Sequence, residues 1–182
     1  MDILLVANTS WYIYNFRSNL IKTLIANNYK ISVLSPYDSY SEKIESLGIK
    51  HINLKIDKSG INPVNEFFTL LRLMLTLRKE KPSLILTYTP KINIYISIVS
   101  RLLRIPVIAN VSGLGSSFIS GGIITRITSI LYRLSFNWPY KVFFQNNEDL
   151  NEFIKRGFVE KIKAERLPGS GVDLNKFRPV KT

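Results

Sequence analysis

Residues 2–28, DILLVANTSWYIYNFRSNLIKTLIANN, decide the fold. They open on DILLVAN, a short apolar run without helical period, which reads as a strand buried on both faces. They close on RSNLIKTLIANN, where Leu20, Ile21, Leu24 and Ile25 recur at helical spacing and mark one face. Between the two lies NTSWYIYNFR, polar and aromatic, which reads as a loop. Strand, polar loop and helix together form the opening unit of a parallel sheet.

The unit repeats outward from there. KISVLSP (30–36) and KHINLKI (50–56) read as the second and third strands. Between them Ser39 and Glu42 have the spacing of a capping box, for a helix that stops at Gly48. NEFFTLLRLMLTLRKEK (65–81) reads as a helix whose polar stripe is Thr69, Arg72, Thr76 and Lys79, with a wide apolar face besides. SLILTYT (83–89) is strand four. The helix after it carries Asn93, Ser97, Arg101 and Arg104 on one side. PVIANVS (106–112) is strand five, and IITRITSILYRLSF (123–136) is a helix with Arg126, Ser129 and Arg133 on its polar side. KVFFQN (141–146) is strand six. NEDLNEFIKRG (147–157) has acids in its first turn, Lys155 and Arg156 in its last, and Gly157 as its stop. KAERLP (163–168) reads as a short last strand. The expected fold class is therefore α/β: a Rossmann-like, doubly wound parallel sheet with helices on both faces.

The 182 residues suit one domain, here 1–168, followed by a linker-like segment, 169–182. The absence of cysteine excludes disulfides, thiolate metal sites and cysteine nucleophiles. MDILLVANTS has no basic residues before its apolar run and is not read as a secretory signal. No apolar run reaches the length of a membrane span; INIYISIVSRLLRIPVIANV (92–111) comes nearest, interrupted by two arginines and a proline. A formal charge of +12 points to a polyanionic partner, whether nucleic acid, an anionic membrane or a phosphate-bearing ligand, or else to a solubilising surface.

In such a sheet ligands bind beyond the carboxyl ends of the strands. The segments there are NTSWYIYNFR, YTPKIN (88–93), NVSGLGSS (110–117), QNNED (145–149) and PGSGVD (168–173). Asn15 and Arg17 precede the first helix, where they face a phosphate or sugar, or merely cap and solvate. Lys91 is placed to neutralise a phosphate, or is an exposed charge. Capping accounts for Asn146, which leaves Gln145 as the better ligand candidate. Trp11, Tyr12 and Tyr14 stack on a sugar or lipid, or pack. GLGSSF (113–118) puts Phe118 where a dinucleotide loop has its third glycine, and it follows strand five rather than strand one. His51, the one histidine, sits on a strand and reads as structural. No paired carboxylates mark a general base, so no catalytic residue is assigned, and no metal site is expected.

ILLVANTSWYIYNFRSNLIKTL, GINP, LTYTPKINIY, PVIANVSGLGSSF, LYRLSF, VFFQNNEDLNEFI and LPGSGVDLNKFRP together resemble the N-terminal half of family 4, GT-B glycosyltransferases, nearest the bacterial surface-polysaccharide and lipid-linked oligosaccharide enzymes. GSGVDLNKF resembles the family's passage from the first Rossmann-like domain to the second. The resemblance implies an acceptor-binding half that meets a C-terminal half, or a separate donor-binding subunit. It implies a nucleotide-sugar donor as substrate, no other cofactor, retention of anomeric configuration and no obligatory metal. Transferred residue by residue, it gives Asn15, Arg17, Thr89, Lys91, Asn93, Ser112, Gly113 and Gln145 as lining the acceptor side of the cleft. Many members carry a histidine after strand five. Here Ser112 and Gly113 stand in that region, and His51 does not replace it.

A lipid-linked glycan acceptor implies a cytoplasmic protein peripheral to the inner face of the plasma membrane. LRLMLTLRKEK (71–81) and TRITSILYRLSF (125–136) are expected to pack their apolar faces on the sheet and leave their basic residues for lipid, at about 1 kcal/mol each near an anionic leaflet. A non-catalytic membrane- or partner-binding subunit is the competing reading. Nucleic acid is not expected, since the polar loops lack a basic patch interleaved with aromatics.

Overall fold

The computed structural model describes residues 1–56, 62–113, 122–169 and 171. Among them the strands are β1 (Asp2–Val6), β2 (Lys30–Ser35), β3 (Lys50–Asn53), β4 (Leu84–Tyr88), β5 (Val107–Val111), β6 (Lys141–Phe144) and β7 (Ala164–Arg166). The helices are α1 (Ser10–Ala26), α2 (Ser41–Glu45), α3 (Pro63–Glu80), α4 (Pro90–Leu103), α5 (Gly122–Ser135) and α6 (Asn147–Lys155). All strand pairs are parallel, in the order β3-β2-β1-β4-β5-β6-β7. The expected α/β, Rossmann-like sheet is what forms.

The order dictates how the faces are covered. From β1 the chain steps toward β3; from β4 it steps the other way, toward β7. Right-handed crossovers then place α1 and α2 on one face and the later helices on the other. The two cores agree. Ile13, Ile21 and Ile44 of α1 and α2 pack with Ile3, Leu5 and Val33 on the first face. Leu73, Ile96, Tyr132 and Phe153 of α3 to α6 pack with Leu4, Ile85, Val107 and Val142 on the second. The second core ends in an aromatic cluster, with Tyr132 4.8 Å from Phe136 and 5.0 Å from Phe153 between ring centroids. No described helix covers the first face over β4 to β6, and Leu86, Ile108 and Phe143 stay partly exposed there.

Several local expectations are corrected. Helix α1 begins at Ser10, not near Arg17, so Asn15, Arg17 and the aromatic stretch are helical. Thr9 Oγ1 caps Tyr12 N at 3.1 Å, and the Asp38 carboxylate accepts from Ser10 N and Trp11 N at 2.9 and 3.1 Å. That second cap comes from the end of β2 and holds the positive end of the helix dipole. The buried row of α1 is Ser10, Ile13, Arg17 and Ile21, whereas Leu20 and Ile25 are exposed. The Ser39–Glu42 capping box does not form: Tyr40 caps α2 without a side-chain bond, and Asp38 again orders the turn by accepting from Tyr40 N.

In α3, Thr69 is buried with Leu73 and Leu77, its hydroxyl donating to Asn65 O, while Phe67, Phe68, Leu71 and Leu75 are exposed. In α4, Asn93 and Ser97 are buried rather than solvated, because their short polar groups bond backbone carbonyls as the helix closes on β5. Gly157 ends α6 as expected, at φ 65°, where a side chain would be strained. Most of GLGSSF, including Phe118, and the 172–182 tail lie outside the described residues.

Candidate functional site

The direction of chain stepping reverses between β1 and β4, and this switch point is where open α/β sheets bind ligands. Here it is occupied by aromatic rings around a cation. Arg17 reaches from the third turn of α1 and donates from Nη2 to the Tyr12 hydroxyl at 2.7 Å. Its guanidinium carbon lies 4.4 Å from the centroid of the Tyr88 ring, at the end of β4. Tyr12 and Tyr88 stand 5.8 Å apart. A guanidinium tolerates this desolvation because it is weakly hydrated and stacks on rings. Burial pushes the Tyr88 hydroxyl up to about 12, against the opposing pull of Arg17.

A trough of about 490 Å³ opens beside this cluster, over the uncovered part of the first face. Its floor is Leu86, Ile108, Phe143 and, beside Tyr88, Asn110; one wall is α1 from Tyr14 to Leu20, and Leu167, Gly169 and Gly171 close its far side. Asn110 is nine-tenths buried, and its Oδ1 makes no hydrogen bond among the described residues. An apolar floor with a guanidinium and carboxamides at one end suits a ligand that is part apolar and part polar or anionic.

The trough gathers two of the eight expected residues, Asn15 and Arg17. Asn15 also donates to Trp11 O at 3.0 Å within its own helix. Three others gather separately at the start of α4. Thr89 holds φ 76° and ψ 141°, a conformation that a β-branched residue rarely adopts, and its buried hydroxyl finds no partner among the described residues. Asn93 donates to Asn110 O at 2.9 Å, joining α4 to β5. Lys91 is not the exposed cation that one reading expected: its ammonium lies 2.6 Å from Glu66 Oε1 of α3, in a mostly buried pair. Tyr95 donates to the other oxygen of Glu66 at 2.7 Å. Burial, then that bond, raises the Tyr95 hydroxyl.

Ser112 and Gly113 follow β5, and Gln145 follows β6, so all three stand at the carboxyl edge but outside the trough. His51 sits on β3, as its sequence suggests, with protein partners for its ring. Its Nε2 lies 3.1 Å from Ser10 Oγ and 3.0 Å from Ser35 Oγ, beside the start of α1. Burial lowers its pKa, opposed by Glu45 and Asp38.

Tyr88 and Asn110 stood in the expected carboxyl-edge segments without an assigned role, and Glu66 escaped sequence reasoning altogether. Tyr88 and Asn110 lie in plain strands, where alternation alone signals that they share the first face. Glu66 carries no local signal.

A family model, glycosyl transferase 4-like, matches residues 2–146. The chain belongs to this family. A relative in this glycosyltransferase group, the N,N'-diacetylbacillosaminyl-diphospho-undecaprenol alpha-1,3-N-acetylgalactosaminyltransferase of Campylobacter jejuni, is 28% identical over 92% of this chain and 46% of its own length. Among solved structures, Anabaena HepE with UDP and glucose superposes at TM-score 0.65, 17% identity, over 96% of this chain and 46% of that one. MurG of Acinetobacter baumannii gives 0.61 at 13% identity, over 97% and 47%. The UDP-GlcNAc 2-epimerase of Methanocaldococcus jannaschii gives 0.65 at 18%, over 91% and 45%. The fold is thus shared with enzymes of different chemistry, and function has to be argued from the site. The glycosyl transferase 4-like chain spans about half the length of these proteins.

Proposed function

We propose that the chain is the acceptor-binding half of a retaining glycosyltransferase. The full enzyme moves a sugar from a nucleotide-sugar to a lipid-linked glycan acceptor, in surface polysaccharide or oligosaccharide synthesis. The observation that carries this reading is the match to a transferase named for a diphospho-undecaprenol acceptor, over 92% of this chain and 46% of that relative. The open carboxyl edge supports it, since one wall of a cleft is what a half-enzyme would present. The opposing wall, a C-terminal half or separate donor-binding subunit, holds the nucleotide-sugar. No other cofactor and no metal take part, and the acceptor places the work at the cytoplasmic face of the plasma membrane.

In this reading the protein contributes mostly position and charge. Arg17 and Asn15 hold acceptor oxygens at the mouth of the trough. Ser112, Gly113 and Gln145 continue that wall along the ends of β5 and β6. Thr89 and Asn93 shape the start of α4, and Lys91 meets an acceptor phosphate when it leaves Glu66.

The test is transfer from a nucleotide-sugar to a short-chain polyprenyl-diphosphate glycan in detergent. The chain alone is expected to give no product, and the chain with its cognate donor-binding half to give product of retained configuration. Arg17→Ala in the reconstituted pair should lower kcat/KM by about a hundredfold. No product from a verified cognate pair, or an inverted product, overturns the reading.

A further inference from the structure

The sheet edge opposite the cleft holds a second hollow. Strands β5, β6 and β7 begin there, and the segments leading into them line a groove of about 590 Å³. Its rigid part is Pro106, Trp138 and Pro139. The Trp138 indole donates from Nε1 to Ile105 O at 3.0 Å, and Pro139 is buried. Beside them stand Tyr140 and Ile162, exposed by 73 and 79%, the two most exposed large apolar side chains among the described residues. Single exposed apolar residues need no explanation, but two that meet in one groove do. Three cations complete the lining, Arg104, Lys141 and Lys163, and no acid joins them. Val142 pairs with Ala164, so Lys141 and Lys163 lie side by side on neighbouring strands, where like charges repel. Glu165, 3.4 Å from Lys141, offsets one of them. Lys163 has only the neutral Asn137 carbonyl at 2.6 Å, and Arg104 makes no ion pair among the described residues.

We propose that this groove docks an acidic segment of a partner polypeptide, one that carries an aromatic or branched apolar side chain among its carboxylates. Charge selects the carboxylates, since three lining cations face one offsetting acid. Lys141 donates to Ile162 O at 3.3 Å and Lys163 to Asn137 O, bonds that hold both ammonium groups at the groove. Each ammonium keeps further donors for an incoming acid. Composition selects a polypeptide with an apolar anchor. Trp, Tyr and Arg are the residue types in which interface energy concentrates, and all three line this one groove. The site is also preorganised: the indole is already hydrogen-bonded, and the two prolines fix their own backbone, so docking orders little that is free beforehand. The five residues of β5 set the groove about 16 Å from the carboxyl edge. A partner seated there leaves the trough and the start of α4 open.

Fluorescence anisotropy of a labelled short peptide, built of Asp and Glu around a single Phe, tests this on the chain itself. Saturable binding is expected, weakening as salt rises, and about tenfold weaker or more when the peptide carries Asn and Gln instead. Lys163→Gln removes the charge but keeps a donor for Asn137 O. That variant and Tyr140→Ala should each weaken binding by about tenfold, with circular dichroism unchanged. Arg72→Gln/Lys79→Gln, which removes two exposed cations of α3, should leave it unchanged. An equal loss in that double variant would show general attraction to a chain of charge +12 and overturns the proposal. So does absence of binding at low salt, or binding indifferent to both Lys163→Gln and Tyr140→Ala. Equal binding of a peptide without its Phe, or displacement by inorganic phosphate as effective as by unlabelled peptide, marks a site for small anions and overturns it too.

Discussion

Helix α1 buries an arginine, and helix α3 exposes two phenylalanines and two leucines. Both are amphipathic in sequence and both lie on one parallel sheet, but each breaks the ordinary rule in the opposite direction. In α1 a cation occupies the core row, because Tyr12 and Tyr88 give it a hydrogen bond and a ring to stack on. In α3 a threonine occupies the core row, its hydroxyl satisfied by its own helix, and the apolar bulk faces outward. Buried polar groups and exposed apolar stripes are the deviations that carry functional information. The first lies beside the trough over the uncovered part of the sheet. The second is an apolar stripe on the outer side of α3.

The contrast within α3 is the widest. Leu73→Ala, on its buried side, should lower unfolding free energy by about 2–5 kcal/mol in urea titrations. Phe68→Ala, on its outer side, should stay within about 0.5 kcal/mol in the same titration. A large loss from Phe68→Ala would mean that the stripe packs against protein. In α1, Arg17→Ala should cost about 2 kcal/mol, since it removes a stacked guanidinium and leaves the Tyr12 hydroxyl without its donor. A neutral result would return Arg17 to the class of solvated charges.

At the cleft edge, Thr89→Gly should raise stability by about 1 kcal/mol through relief of its positive φ, and lower transfer in the reconstituted pair if the held conformation serves the site. The smallest effect concerns His51. Its folded pKa lies below the unfolded value, so the unfolded chain binds the extra proton first. Stability is then full above the unfolded value, about 6.5, and falls as pH drops through the folded one. The melting temperature should decline on acidification, and His51→Gln should flatten that decline.

Much of the fold was legible because short apolar runs and helical periods alternate from DILLV to KVFF without a competing pattern. What escaped depends on partners far along the chain. The start of α1 is held by Thr9 and also by Asp38, 28 residues beyond Ser10, and without that second, distant cap NTSWYIYNFR reads as a loop. Lys91 meets Glu66 across 25 residues, and no local spacing announces that pair. Periodicity found an apolar face on α3 but not its direction, because a stripe turned to the sheet and a stripe turned outward have the same period. The carboxyl-edge segments were identifiable as a set. Their division into a trough beside α1 and a clamp at the start of α4 needed the strand order.

Calorimetric titration of this chain with a short-chain polyprenyl-diphosphate glycan, and separately with a UDP-sugar, tests the half-enzyme account most directly. The account predicts heat of binding from the lipid-linked glycan, lost in Arg17→Ala, and none from the UDP-sugar. Saturable binding of the UDP-sugar with none of the glycan would contradict it.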